Sequence, residues 1–345
     1  MSPPALTRSV AHLSTGLDLA YVSTGPSDGP TLLLLHGLTN DADAWSRVMS
    51  EVSDRMPGLR IVAIDLRGHG QSSKPADPAA FTIPSMARDV VAFMDAVGIE
   101  RASIAGHSMG SLIAQDIALT HPDRVDKLVL ISSTANAQGA PILGSWLLDD
   151  VIQGQWRTSL AAQGVAWPQP ALSRTPLDAD PDAVAWMRTY WNVYPLTPDR
   201  DTTDGATRAA GLPLATWLGA TEGIMAFDRR QQLTSLTTPV LVLWGTQDAF
   251  FLRADQDVLI TALRSATRTG GSFRWKQYGR LPIPADGLQA DDIGHNLTWD
   301  APVPVAEDIA SFLENGEPSD TEWYADAPSS KKVVGKPGAA TIVRN

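Results

Sequence analysis

The sequence predicts an α/β fold built on a mostly parallel sheet. Three observations carry this. Continuous apolar runs of strand length recur along the chain, as strands buried on both faces require. Amphipathic segments of helix length separate them, which makes βαβ units. One long stretch, 134–234, breaks the rhythm and reads as a helical insertion.

The first stretch, "VAHLSTGLDLAYVSTG" (10–25), has the alternation and glycine turn of a leading hairpin. Buried strands follow at "TLLLLHG" (31–37), "LRIVAIDL" (59–66), "ASIAGHS" (102–108), "KLVLISS" (127–133) and "PVLVLWG" (239–245). "SFRWKQY" (272–278) alternates more strongly, as expected nearer a sheet edge. A helix is predicted over 83–99, with Pro84 and Ser85 at its start and Gly98 at its end. Another runs from Ser108 until Pro122 stops it. The insertion holds no comparable apolar strand, yet it carries six of the eleven tryptophans. This divides the chain into a core of 1–133 and 235–316, a helical insertion of 134–234, and a tail of 317–345. The tail is rich in Pro, Ser, Gly and Lys and is expected to be a poorly ordered arm.

Composition narrows the function. With 345 residues, 43% hydrophobic and 19% charged, the chain is globular and large enough for a sizeable core. A net charge of −11 argues against nucleic acid or an anionic membrane as partner. The absence of cysteine excludes disulfides, thiolate nucleophiles and Cys-ligated metals, and fits a reducing cytoplasm. The first residues contain no apolar segment of signal-peptide type, and no apolar run approaches membrane-spanning length. A homodimer is left open.

The chemistry concentrates at strand ends, where ligands bind in parallel sheets. Ser108 closes the strand 102–108, flanked by Gly106 and Gly110. A strand–serine–helix turn points Oγ outward and puts the Met109 amide at a helix N-terminus, where it can hold negative charge. A serine hydroxyl needs a base, and histidine is the usual one near neutral pH. Of the six histidines, His295 alone lies after the last strand, completing the order Ser…Asp…His. His107, the spacer of the turn, should point away from Oγ. His36 and His69 lie in glycine-flanked turns and fit hydrogen bonding that shapes loops; His36 and Gly37 are also candidate substrate contacts. Asp248, in "GTQDAF" at a strand end, is the candidate to orient His295, with Asp291 and Asp292 as rivals. The second oxyanion donor is expected from the loop after "LLLLHG", at the Leu38 amide.

With these residues in place, the chain resembles the α/β-hydrolase superfamily. The likeness rests on "HG" (36–37), "DLRGHGQSS" (65–73), "GHSMG" (106–110), "GTQD" (245–248) and "GH" (294–295), and covers most of 17–315. It implies an eight-stranded, mostly parallel sheet, with 134–234 as a helical cap over the site. It implies Ser108, Asp248 and His295 as a catalytic triad, with no cofactor and no metal. Within the superfamily the chain looks most like small esterases and lactonases, with some likeness to enol-lactone hydrolases. "HGLTNDADAW" is also similar to the cofactor-free haloperoxidase and perhydrolase group. Haloalkane dehalogenases and epoxide hydrolases would have aspartate at the nucleophile position, and Ser108 argues against both. Asn296 after His295 weakens a likeness to meta-cleavage C–C hydrolases, which commonly have Trp there.

The expected activity is hydrolysis of an ester or lactone, with an apolar acyl or alcohol group suggested by the Trp-rich insertion. Trp186, Trp191 and Trp217 are the candidate pocket walls. C–C hydrolysis and perhydrolysis on the same residues are alternatives, as is a small-ligand receptor that keeps the fold. Asp248 and His295 lie 47 positions apart, a distance stretched by the loop 280–294. Its prolines and apolar residues suggest an ordered flap over the entrance above Ser108.

Overall fold

The computed structural model describes residues 6–191, 199–279, 293–320 and 342–344. The leading hairpin forms from β1 (Thr7–His12) and β2 (Asp18–Thr24). The buried runs become β3 (Thr31–Leu35), β4 (Arg60–Ile64), β5 (Ala102–His107), β6 (Val125–Ile131), β7 (Val240–Gly245) and β8 (Phe273–Tyr278). These eight strands lie in the order β1-β2-β4-β3-β5-β6-β7-β8. From β4 to β8 every pairing is parallel, and β2 joins β4 antiparallel.

The strand sequences explain burial on both faces. Side chains alternate along a strand. Leu33, Leu35, Val62, Ile64, Ile104, Leu128 and Leu130 therefore enter one core, while Leu32, Leu34, Ile61, Ala63, Ala105, Val129 and Ile131 enter the other. Helices α2 (Ile83–Ala96) and α3 (Met109–Thr120) cover the first face. Helix α1 (Ser46–Arg55) and the helix Pro302–Asn315 cover the second. Thr82 caps α2 by accepting from the Ser85 amide at 3.2 Å, with Pro84 in the first turn.

The stretch 134–234 is helical where described. It includes a wide-turn helix Ile142–Trp156, a helix Asp199–Ala210 and a largely apolar helix Leu214–Met225. An antiparallel bridge between Asn136 and Asp228 pins its two ends together. Its buried residues, among them Leu147, Trp156 and Trp217, belong to the same core as α2 and α3.

The tail departs from the expected loose arm at two places. Glu317 pairs with Arg274 at 2.6 Å, and the Ser319 carbonyl accepts from Lys276 Nζ at 2.8 Å. Lys276 is buried and bound to buried Asp308 at 2.7 Å. A buried ammonium needs further acceptors, and the start of the tail supplies them. Residues Ile342–Arg344 then add β9, antiparallel to β8, so "SFRWKQY" lies one strand in from this edge. The remaining tail residues lie outside the described ones, as do Asp291, Asp292 and nearly all of the proposed flap 280–294. Among the described residues no helix is long and apolar enough to cross a membrane.

Candidate active site

Ser108 sits between β5 and α3 with φ +51° and ψ −121°, a conformation L-residues rarely adopt. It is held there by neighbours. Its N–H donates to the Ile131 carbonyl at 2.9 Å, and its carbonyl accepts from the Ser111 amide at 2.8 Å. The flanking glycines are demanded by close approach. A Cβ on Gly106 would stand 2.3 Å from the Gly110 carbonyl oxygen, and one on Gly110 would stand 2.2 Å from the Leu35 carbonyl oxygen. The pattern therefore lets α3 start directly against the ends of β3 and β5, with the serine side chain left at the crest.

His295 Nε2 lies 2.8 Å from Ser108 Oγ, and His295 Nδ1 lies 2.9 Å from Asp248 Oδ1. With Nδ1–H donating to the carboxylate, Nε2 is left to accept the serine proton. Asp248 is buried, and its Oδ1 also accepts the Phe250 and Phe251 amides at 2.9 and 3.0 Å. That turn fixes the carboxylate independently of its contact with His295. Phe250 and Phe251 then pack on the imidazole, with centroids 4.6 and 5.6 Å away.

The main chain of His295 is held by two side chains that sequence reasoning missed. His107 Nε2–H donates to the His295 carbonyl at 2.9 Å, and Ser132 Oγ–H donates to the same oxygen at 2.6 Å. His107 thus turns away from Oγ, as expected, but toward a task of its own. Ser132 ends β6 as Ser108 ends β5, and convergence of parallel strand ends was the signal that could have found it.

The loop after β3 passes directly over the serine. A Cβ on Gly37 would lie 3.0 Å from His107 Nδ1 and 3.1 Å from Ser108 Cβ. Leu38 follows, and the Asn40 amide closes a turn onto the Gly37 carbonyl at 3.2 Å. Thr39 at φ +66° donates its amide to His69 Nε2 at 3.2 Å. On the other side, Met109 is the first residue of α3.

His36 and His69 are wholly buried and serve the loops. His36 Nδ1–H donates to the Gly37 carbonyl at 2.8 Å, and its Nε2 accepts the Leu66 amide at 3.0 Å. His69 Nδ1–H donates to the Arg67 carbonyl at 2.9 Å. Burial lowers His36 to a pKa of about 4 and His69 to about 3, so both stay neutral and can accept. His36 is therefore a loop-shaping residue rather than a substrate contact. Burial likewise lowers His107 to about 3.

Above Ser108 lies a pocket whose empty space is about 460 Å³, part of it opening to solvent. Leu38, Leu143, Trp191, Ile224, Phe250 and Phe251 supply its apolar walls. Gly37, Asn40, His107, Ser108, His295 and Asn296 complete the described lining. Of the three candidate tryptophans, only Trp191 reaches it. Trp191 Nε1–H donates to Thr39 Oγ1 at 2.7 Å, tying the helical segment to the loop. Trp217 is fully buried behind Trp191, centroids 5.3 Å apart, and Trp186 stacks on Trp146 at 5.7 Å. Trp217 thus lies in the core shared with α2 and α3, and Trp186 packs partly buried against it. Among the described residues no group of three His, Asp or Glu is disposed to hold a metal ion.

This sheet order, with a serine elbow at the carboxyl end of β5 and a histidine over it, defines a hydrolase. More particularly, the chain belongs to the alpha/beta hydrolase fold family, whose profile matches residues 30–269. An uncharacterized protein of Mycobacterium tuberculosis is 35% identical over 329 residues, 94% of this chain and 86% of the relative. Epoxide hydrolase B of the same organism is 33% identical over 156 residues, 45% of this chain and 43% of its own. The crystal structure of the enol-lactonase from Burkholderia xenovorans superposes with a TM-score of 0.64 at 21% identity, covering 89% of this chain and all of that one (100%). That likeness is one of fold.

Proposed function

We propose that the protein is a serine hydrolase of carboxylic esters or lactones. The hydrogen-bonded series Ser108 Oγ, His295 Nε2, His295 Nδ1 and Asp248 Oδ1, at 2.8 and 2.9 Å, carries this reading. Ser108 attacks the substrate carbonyl carbon while its proton passes to His295 Nε2. Asp248 holds the tautomer and stabilises the imidazolium. The amides of Leu38 and Met109 take the oxyanion. His295 returns the proton to the leaving alkoxide, leaving an acyl-serine. Water, deprotonated by the same histidine, then releases the acid. Residues 134–234 act as the cap whose Trp191, Leu143 and Ile224 shape the acyl pocket.

The partial likeness to an epoxide hydrolase does not change the reading. A serine opening an epoxide would form an ether, which has no carbonyl for water to attack. A carboxylate nucleophile would form an ester, which water can cleave. Ser108→Ala should lower kcat on a small activated ester by about 10⁴-fold or more. An organophosphonate should label Ser108 in the wild type, read by peptide mass. A variant that keeps a tenth of wild-type turnover would remove the nucleophile assignment.

A further inference from the structure

We infer that the acyl pocket selects a neutral ester whose acyl chain carries a hydroxyl close to the carbonyl, recognised by the Asn40 side chain, and that it rejects carboxylates. The inference rests on the serine-esterase reading above. Asn40 is 8% exposed and lines the pocket. Its amide N–H closes the turn onto Gly37, but its side chain has no hydrogen-bond partner among the described residues. A carboxamide brings two donors and an acceptor with two lone pairs, and here they are free to meet a polar group of a ligand that enters the pocket. Asn296, the other amide in the lining, is half-buried, so water reaches it more readily.

The position of Asn40 says which part of the substrate it meets. It lies two residues after Leu38, on the loop that crosses Ser108 beside Gly37. The carbonyl oxygen of an ester held by the Leu38 amide points into this loop, so Asn40 faces the acyl side of the scissile bond. A hydroxyl there both donates and accepts, matching a carboxamide.

The same walls disfavour an anion. No lysine or arginine is among the described lining residues. Next to Asn40, Asp41 is already engaged by Arg208 at 2.6 Å, and buried Asp65 and half-exposed Asp43 stand behind it. A carboxylate in this pocket would lose its water with no cation to replace it.

Hydrolysis of methyl butyrate, methyl 2-hydroxybutyrate, methyl 3-hydroxybutyrate and monomethyl succinate, followed by pH-stat titration, tests this. For the wild type, one hydroxybutyrate should exceed methyl butyrate in kcat/KM by about tenfold or more, since a site built for a hydroxyl discriminates against its absence. Monomethyl succinate should fall about a hundredfold below methyl butyrate. In Asn40→Leu the ratio of hydroxylated to plain ester should fall to about one. Equal treatment of the three neutral esters by the wild type overturns the inference. So does a hydroxyl preference that survives Asn40→Leu, or ready hydrolysis of monomethyl succinate. If Asn40→Leu does not fold, the wild-type ratios decide alone. If no ester is hydrolysed, or Ser108→Ala is as active, the esterase reading itself fails and this inference with it.

Discussion

Replacing Gly110 by alanine tests the idea that the serine turn depends on backbone contact. The added methyl would stand 2.2 Å from the Leu35 carbonyl oxygen, 2.5 Å from its carbon and 2.7 Å from the His36 carbonyl oxygen, where real Cβ atoms stay beyond 3.0 Å. These neighbours are backbone of β3 and its exit, not the pliable end of a side chain. Helix α3 and β3 must therefore part by most of an ångström. The start of α3 carries the Met109 amide, and the end of β3 carries the loop with Leu38, so the two proposed oxyanion donors move relative to each other. Misplacement on this scale costs about 10²-fold in turnover. Overpacking adds about 1–3 kcal/mol of destabilisation. Gly58 is the control, because nothing lies within 4 Å of a Cβ built there. The assay is kcat on a small activated ester together with Tm, for Gly110→Ala and Gly58→Ala side by side. Gly58→Ala should behave as wild type. A Gly110→Ala enzyme with wild-type kcat and Tm would refute the argument that contact with β3 sets the turn.

Two further outcomes separate roles that proximity alone would confuse. Trp191→Ala should shift preference toward bulkier acyl groups, read as kcat/KM across straight-chain esters. Trp217→Ala should instead lower stability by about 3–5 kcal/mol, read by urea unfolding, because Trp217 is fully buried. The buried histidines set an acid limit. Their folded pKa values lie below the ordinary 6.5, at about 4 for His36 and about 3 for His69 and His107. Unfolding therefore takes up protons below pH 6.5, and the stability these groups contribute above that pH is lost as pH falls toward their folded values. Asp41, raised by burial to about 6, opposes this, since its contribution is present at low pH and is lost as pH rises through that value. His69→Gln should remove one proton from the difference, flattening the slope of unfolding free energy between pH 4 and 6 by about 1.4 kcal/mol per pH unit. An unchanged slope would mean that His69 is not held neutral.

Much of this architecture is local and so was legible in the chain. Apolar runs must be buried on both faces, and a strand's alternation assigns Leu32 and Leu33 to opposite cores whatever surrounds them. The glycines around Ser108 report a turn that larger side chains would block. The order Ser108, Asp248, His295 along the strand ends is likewise written in one dimension.

What only the tertiary structure decided lies between residues far apart in sequence. His107 and Ser132 grip the His295 carbonyl from 188 and 163 positions away, and no local pattern marks that grip. Nor could the tryptophans be told apart. The helix Leu214–Met225 is buried along almost its whole surface, so its periodicity does not reveal which side faces the pocket. Packing settled that Trp217 turns inward and that Trp191 meets Thr39 and the pocket. Asn40 is a similar case. Polar residues in loops are ordinarily solvated, and it takes Leu143, Trp191 and Ile224 arriving from the helical segment to enclose Asn40 in a pocket wall. Backbone sterics and burial periodicity act between near neighbours, so sequence carries them. The direction in which a buried side chain finally points is set by which distant surfaces close over it.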